Sequence, residues 1–380
     1  VRYAQFVHTL DSFVPRSLFA SHPEYFPLID GRRVDGDVQR CLSNPEVLRL
    51  AVEGVRRAFA ADPEATITSV SQNDNQRYCR CEACQTLAEQ FGGAQSGVYL
   101  WFANRVAEAI EQEHPGKLID TLAYQFTEPA PTGIVPRHNV RVRLCPIAVC
   151  LGHPYETDSD PKTQAFARAL GAWAKLSDTL YVWHYNTNFA HYLAPLPDFG
   201  QFPSSLRRYR EMGARGIFFQ GGYAPGGGAS DAELRSYVMA QLLWDPDRDA
   251  DALVNEWMAG VYGPAAGPMR EWFDLLHDTV QAHPDRHFNC YAPVDAFYLS
   301  PENLAAGATL HERALALAGE DDVARRYIEK SRLSLRYLEV MRRGIQDAAY
   351  EQFLHDVKAA GITQLREGQS LETWEARFGL

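Results

Sequence analysis

No stretch of this chain is basic. Its 380 residues carry 37 Lys and Arg against 48 Asp and Glu, for a net charge of −11, and no arginine-rich stripe interrupts that balance. A phosphate backbone would be repelled on average, so nucleic acid is not an expected partner. No run approaches the about 18 uncharged apolar residues of a spanning helix, so no membrane span is expected. Cysteine is scarce, with seven in the chain, an odd number and too few for a disulfide scaffold at this length. Most are expected to be buried thiols. No glycine-rich phosphate loop follows any apolar run. Gly226-Gly227-Gly228 is not followed by the Gly-Lys-Ser/Thr of a P-loop, which weakens a Rossmann-type nucleotide domain and the doubly wound open sheet that goes with it. An initial Met and a signal-like segment are also missing. Val1-Arg2-Tyr3-Ala4-Gln5-Phe6-Val7-His8 reads as the middle of a folded region. A trimmed or truncated chain is expected, periplasmic or secreted where the native N-terminus carries a signal peptide.

What the chain does have is alternation. Hydrophobic content of 46% against 22% charged supplies a sizeable core. Apolar β-type runs at Tyr3–Thr9, Ala65–Val70, Leu118–Tyr124, Val140–Cys145, Thr179–His184 and Gly216–Gln220 read as strands, each but the last followed by a helix. Ser43-Asn44-Pro45-Glu46 announces one helix with a cap, an early proline and an acid. Ser230-Asp231-Ala232-Glu233 reads as a capping box for another. Beyond about residue 245 the pattern turns helical: Ala250–Tyr262, Ala265–Ala282, Pro301–Leu317, Asp321–Ala349 and Tyr350–Ala360. The expected fold is α/β. It is a (β/α)8 TIM-like barrel over residues 1–245, complete or lacking its first strand, followed by a helical C-terminal region over 246–380. Six strands are visible, so a closed barrel needs two more, before Val1 and after Gly221.

In parallel α/β folds chemistry gathers at the carboxyl ends of strands. Five such ends stand out: His8-Thr9, Gln72-Asn73-Asp74-Asn75, Tyr124-Gln125 with Glu128, Trp183-His184-Tyr185-Asn186, and Gln220-Gly221-Gly222-Tyr223. The set is rich in amides, aromatics and histidine and poor in carboxylates. Amides and carboxylates match the donors and acceptors of a hydroxyl-rich ligand, and Trp or Tyr packs on the apolar face of a sugar ring. Substrate-binding candidates are therefore His8, Asn73, Asn75, Tyr124, Trp183, His184, Tyr185 and Gln220. Strand alternation puts Trp183 and Tyr185 on one face and His184 on the other. Glycosidic cleavage needs paired carboxyls, for which Asp74 comes first and Glu128 second. Against this, Asp74 could be a turn or cap residue, and Glu128, before Pro129, a solvated loop acid.

Cys79-x-Cys81-x-x-Cys84 offers three soft ligands to Zn²⁺, with Cys41 or a histidine as the fourth. A disulfide, Cys81–Cys84 or Cys41 with one of the three, is the alternative. A metal there is expected to brace the loop carrying Asp74 rather than do chemistry.

His22-Pro23-Glu24-Tyr25-Phe26-Pro27-Leu28 with Gly31-Arg32-Arg33, then Cys41-Leu42-Ser43-Asn44-Pro45-Glu46-Val47, Asn73-Asp74 with the cysteine triplet, Tyr237 to Trp244-Asp245-Pro246, and Tyr262-Gly263-Pro264-Ala265-Ala266 together resemble a bacterial family, domain of unknown function 4838. The likeness spans about residues 1–270. It implies a TIM-like barrel related to α-glucuronidase and β-hexosaminidase barrels, in proteins linked to polysaccharide breakdown. Asp74 is the acid that the resemblance carries over, whereas Glu128 comes from the residues alone. The adjacent Asp-Glu of hexosaminidase-type barrels is not found, and Gln220 stands where related glucuronidases place a carboxylate. The expected activity is glycoside hydrolysis of a uronic-acid- or N-acetylhexosamine-containing glycan, with no cofactor required for chemistry. Asp74 would be acid or base. With one strong carboxylate, the substrate's own amide could serve as nucleophile. The alternatives are a non-catalytic carbohydrate-binding barrel and a metal-dependent hydrolase built on the cysteines.

Overall fold

The β-branched run Ile67–Ser69 forms the first strand of the main sheet, β1. Leu118–Tyr124 (β2), Val140–Cys145 (β3), Tyr181–Tyr185 (β4) and Gly216–Gln220 (β5) follow. The structure, a computed structural model, describes residues 1–222, 228–343 and 348–377. Tyr223, Gly226 and Gly227 lie outside the described residues. The five strands are hydrogen-bonded in chain order. The registers of the first three pairs are parallel, Ile67 opposite Leu118, Ile119 opposite Val140 and Arg143 opposite Tyr181.

This sheet corrects the expected eight-stranded barrel. It has five strands and is not a closed (β/α)8 TIM barrel. The segment expected as a strand at Tyr3–Thr9 does run beside β1. Ala4 N–H bonds Ile67 O at 2.9 Å and Ser69 N–H bonds Gln5 O at 2.9 Å, yet only Tyr3 forms a ladder bridge. His8 then takes φ 55°, a left-handed conformation that ends extended pairing in a non-glycine residue. After β5 no strand among the described residues joins the sheet. The β2–β3 connection also lacks the expected helix. It holds one 3-10 turn, Gln125–Thr127, because Pro129, Pro131 and Pro136 remove the donors and fix the φ angles that a helix would need.

The local helix signals fare unequally. Pro45–Ala61 starts as expected, with the Asn44 side chain accepting from Glu46 N–H at 2.9 Å and Val47, Ala51, Val55 and Phe59 buried. Ala232–Trp244 forms without its capping box. Asp231 sits at φ 51° with no side-chain cap bond, and its carboxylate instead accepts from Ser230 Oγ at 3.0 Å.

Two compact units divide the chain. The first is Val1–Pro146, Arg168–Trp183 and Met212–Phe218; the second is Ile147–Ala167, His184–Glu211 and Phe219–Leu380. The second is rich in helices, among them Ala250–Tyr262, Ala266–Gln281, Pro301–Ala318, Asp322–Arg343 and Ala348–Ala359. Among the described residues no helix is long and apolar enough to cross a membrane.

The first unit buries a charge pair at its sheet. Asp120 on β2 meets the Arg143 guanidinium of β3 at 2.9 Å, with both side chains almost wholly buried. Burial pushes the Asp120 carboxyl up to about 6, although Arg143 and bonds from Ser69 and Tyr3 pull it back. Arg143 lies over the rings of Phe6, Tyr3 and Trp183 at 4.5, 4.9 and 5.6 Å and donates to the Tyr3 hydroxyl. Removing one partner of such a pair leaves a buried charge alone. Asp120→Ala should cost about 3–5 kcal/mol, read as a lower urea midpoint at unchanged slope. Tyr3→Phe keeps the ring under Arg143 and should cost well under half as much. Equal losses would assign the stability to the hydroxyl instead.

Candidate active site

The loop after β1 is held from both sides. The buried Gln39 side chain donates to Asn73 O and Asn75 O, both at 2.7 Å, and accepts from Asn73 N–H at 3.0 Å. Asn73 Nδ2 donates to Asp11 Oδ1 at 2.6 Å and to Val38 O at 2.8 Å, while Asn73 Oδ1 accepts from Asp11 N–H. Asp11 in turn receives the buried Arg40 at 2.6 Å. Asn75 Oδ1 accepts from Arg77 N–H, and its amide donates to Asp37. The structure thus uses both asparagines as scaffold. Asp74, between them, is exposed and accepts from the Tyr124 hydroxyl at 3.1 Å.

Tyr124 closes β2, and the turn after it ends on Glu128. Thr127 Oγ1 anchors that turn by accepting from Tyr124 N–H at 3.0 Å and from the buried Gln72 Nε2 at 2.7 Å. Gln125 takes φ 54°. Two non-glycine residues therefore have left-handed backbone near the site, His8 after the segment that runs beside β1 and Gln125 after β2, a strain that folds retain where surrounding contacts over-determine it. His8 Nδ1–H donates to Gln72 O at 2.7 Å, because a carbonyl can only accept. The His8 ring lies 6.4 Å from that of Tyr124. Trp173 Nε1–H holds the Glu128 main-chain carbonyl at 2.8 Å. Burial alone pushes the Glu128 carboxyl up to about 7, with no cation or hydrogen bond opposing it. His8, Asp74 and Tyr124 are thus brought together at the carboxyl ends of β1 and β2, and Glu128 lies on the turn that follows β2.

The remaining sugar-pocket candidates are placed differently. Trp183 is packed against Phe6 and Phe218 at 5.3 and 4.9 Å in the first unit. His184, Tyr185 and Gln220 belong to the second unit. His184 is fully buried beside the Tyr209 hydroxyl at 2.9 Å, and burial lowers it to about 3, so it is neutral at ordinary pH. Tyr185 packs on Phe189 at 5.9 Å, and Gln220 Nε2 donates to Glu367 at 3.2 Å. Sequence reasoning missed Gln39, Asp11 and Thr127. The nearness of Gln39 to Cys41 was the one available signal.

Cys41, Cys79, Cys81 and Cys84 converge, with all four sulfurs within 4.8 Å of one another. None is in a disulfide. Cys41 Sγ lies 3.6 Å from Cys81 Sγ and 3.9 Å from Cys84 Sγ. Thiolates about 2.3 Å from a tetrahedral zinc stand about 3.8 Å apart, so the set fits the ion. Leu28 N–H and Arg33 Nη1 approach Cys79 Sγ at 3.3 and 3.7 Å, and Ser43 Oγ approaches Cys84 Sγ at 3.1 Å. These donors would offset the negative charge of four thiolates.

An open parallel sheet with polar, carboxylate-bearing strand ends defines an α/β protein of the kind that carries small-molecule sites on its loops. The chain belongs to the family described as a domain of unknown function, DUF4838, whose profile matches residues 1–274. A comparison with curated proteins finds no match. Among solved structures, the chain is similar to a GH138 enzyme described as targeting pectin rhamnogalacturonan II. The TM-score is 0.41 and the identity 10%, over 78% of this chain and 48% of that one. The chain thus spans about half the length of that protein.

The raised Glu128 carboxyl has a thermodynamic consequence. Its value in the fold, about 7, lies above its ordinary 4.5, so between those values the folded chain binds more protons than the unfolded one. Stability should fall as pH rises through that window. Urea unfolding at several pH values should show wild type losing ground to Glu128→Gln from about pH 4.5 to about pH 7. A pH-independent difference would mean that Glu128 ionises normally.

Proposed function

We propose that the first unit carries a carbohydrate-processing site of the glycoside-hydrolase kind, with Glu128 as general acid and Asp74 as its partner. The observation that carries this reading is that two carboxyls in unlike surroundings lie on the loops that follow adjacent strands, Asp74 after β1 and Glu128 after β2. Glu128 is part-buried, unopposed by any cation and proton-holding near neutrality. Asp74 is exposed and oriented by the Tyr124 hydroxyl. A carboxyl whose burial raises it toward neutrality is suited to the general-acid role. In this reading Glu128 gives its proton to the glycosidic oxygen as the bond to the leaving sugar breaks. Asp74 either takes a proton from the attacking water or, for an N-acetyl sugar, accepts the substrate's amide N–H while the amide oxygen attacks the anomeric carbon. A glycan carrying a uronic acid or N-acetylhexosamine is the proposed substrate. Cys41, Cys79, Cys81 and Cys84 would hold a structural zinc. Four protein thiolates fill a tetrahedral ion, so its part is to lock the loop that presents Asp74.

Purified protein incubated with uronic-acid and N-acetylhexosamine oligosaccharides, with products resolved by mass, tests the site. Asp74→Asn should abolish release while leaving saturable binding. Glu128→Gln should lower kcat by about 10²–10⁴-fold. Binding without any product from wild type or a longer chain would establish a carbohydrate-binding protein instead. The zinc is tested separately. A strong chelator should release one ion per cluster and lower Tm, and Cys81→Ser should abolish that release. Full activity and an unchanged Tm after chelation would remove the ion from this account.

A further inference from the structure

The second unit contains four metal-ligating side chains that the carbohydrate reading does not use. Cys150, His153, Asp158 and His287 each offer one ligand atom, and these atoms lie within 4.8 Å of one another. We propose that these four residues bind a divalent ion of the zinc class, tying the segment around Cys150–Asp158 to the turn at Pro284–Phe288.

The orientation of each side chain supports this more than proximity does. His153 Nε2–H donates to Val280 O at 3.2 Å, because a carbonyl can only accept. In the neutral ring this leaves the Nδ1 lone pair facing Cys150 Sγ, 3.5 Å away. A histidine that gives one N–H to a main-chain carbonyl and turns its other nitrogen inward is the usual posture of a metal ligand. Sulfur at about 2.3 Å and nitrogen at about 2.0 Å from a tetrahedral ion are themselves about 3.5 Å apart. Cys150 Sγ also accepts from Gly152 N–H at 3.3 Å. Cys150, His153 and Asp158 are all buried, Asp158 at 2% exposure.

Two atoms in the cluster lack what buried polar atoms require. Asp158 Oδ1 accepts from Asp160 N–H at 3.0 Å, but Oδ2 is buried with no hydrogen-bond partner. His287 Nδ1 lies 3.0 Å from Asp158 Oδ1, yet it is not aligned to bond that oxygen and is also unpartnered. On the far side of the ring, His287 Nε2 meets Ser159 Oγ at 3.3 Å. A simple histidine–aspartate ion pair would account for the 3.0 Å separation. It would leave Oδ2 orphaned and give Cys150 and His153 no reason to turn toward each other. A cation held by one atom from each residue would give Cys150, His153 and His287 a shared partner and would bring the Asp158 carboxylate into the same site. Nitrogen, sulfur and carboxylate donors together suit zinc or cobalt rather than magnesium or calcium, which prefer oxygen alone.

Metal content of the full chain, grown with added zinc, is the first measurement. Cys150→Ser and His287→Gln should each lower the zinc by one equivalent relative to wild type, with circular dichroism and Tm reporting whether the variants fold. Cys81→Ser should leave this equivalent in place, which separates it from the four-cysteine cluster. Wild-type protein loaded with cadmium keeps the question answerable if a variant unfolds. Cadmium NMR should show a resonance in the range of mixed nitrogen, oxygen and single-sulfur ligation. Unchanged zinc in folded variants, or no such resonance, would overturn the proposal.

Discussion

A loop that leaves a sheet and stays buried must find a partner for every polar group it takes with it. The stretch after β1 meets that demand through side chains borrowed from the segment Val38–Cys41. Gln39 replaces a strand, donating to the Asn73 and Asn75 carbonyls and accepting from an amide. Arg40 and Asp11 fix Asn73 from the other side. The same two segments then meet again at the cysteines, where Cys41 comes within 3.6 Å of Cys81. Polar bonds and sulfur contacts therefore fasten one loop at both ends. Asp74 is the residue this fastening leaves over, and the Tyr124 hydroxyl sets its direction. The placement of the candidate site follows from how the loop is satisfied, not from a feature of Asp74 itself.

Burial acts on three titratable groups with three outcomes, and the difference lies in the company each keeps. Asp120 is buried with an arginine against it and is raised only to about 6. It remains half of an ion pair whose worth lies in not being broken. Glu128 is part-buried with no opposing group and rises to about 7, the range in which the proposed proton-donor role would operate. His184, buried beside a hydroxyl, drops to about 3 and becomes a neutral hydrogen-bonding ring. A single desolvation cost thus yields a structural pair, a candidate acid and an inert histidine.

Local signals in the sequence were legible where the structure obeys local rules. Asn44 and Pro45 mark a helix start that needs nothing from elsewhere in the chain, and β2 and β3 run over the residues that hydrophobic patterning assigns. Closure of the sheet was not legible. At one edge the first segment stops pairing at His8, and a left-handed φ there has no signature in an ordinary histidine. The capping box at Ser230–Glu233 failed for the same reason, since Asp231 adopts φ 51°. Within the site, Asn73, Asp74 and Asn75 look equivalent in sequence, and only their partners separate scaffold from exposed acid. Cys41 could be named as a fourth ligand because its chemistry is scarce in this chain. Cys150-x-x-His153 escaped notice because Asp158 and His287 complete it only in space.

The position of Glu128 illustrates how a connection without a helix can still be rigid. A candidate acid gains nothing from burial if its backbone wanders, because the carboxyl would then swing out to water. Here the prolines that forbid a helix after β2 also fix φ at Pro129 and Pro131. Thr127 pins the turn to β2 and to Gln72, and the Trp173 indole holds the Glu128 carbonyl. The segment is tied at Thr127 and at the Glu128 carbonyl, with proline fixing φ beyond them. Those contacts set the backbone on which the Glu128 carboxyl is held part-buried, and that burial is what pushes it up to about 7.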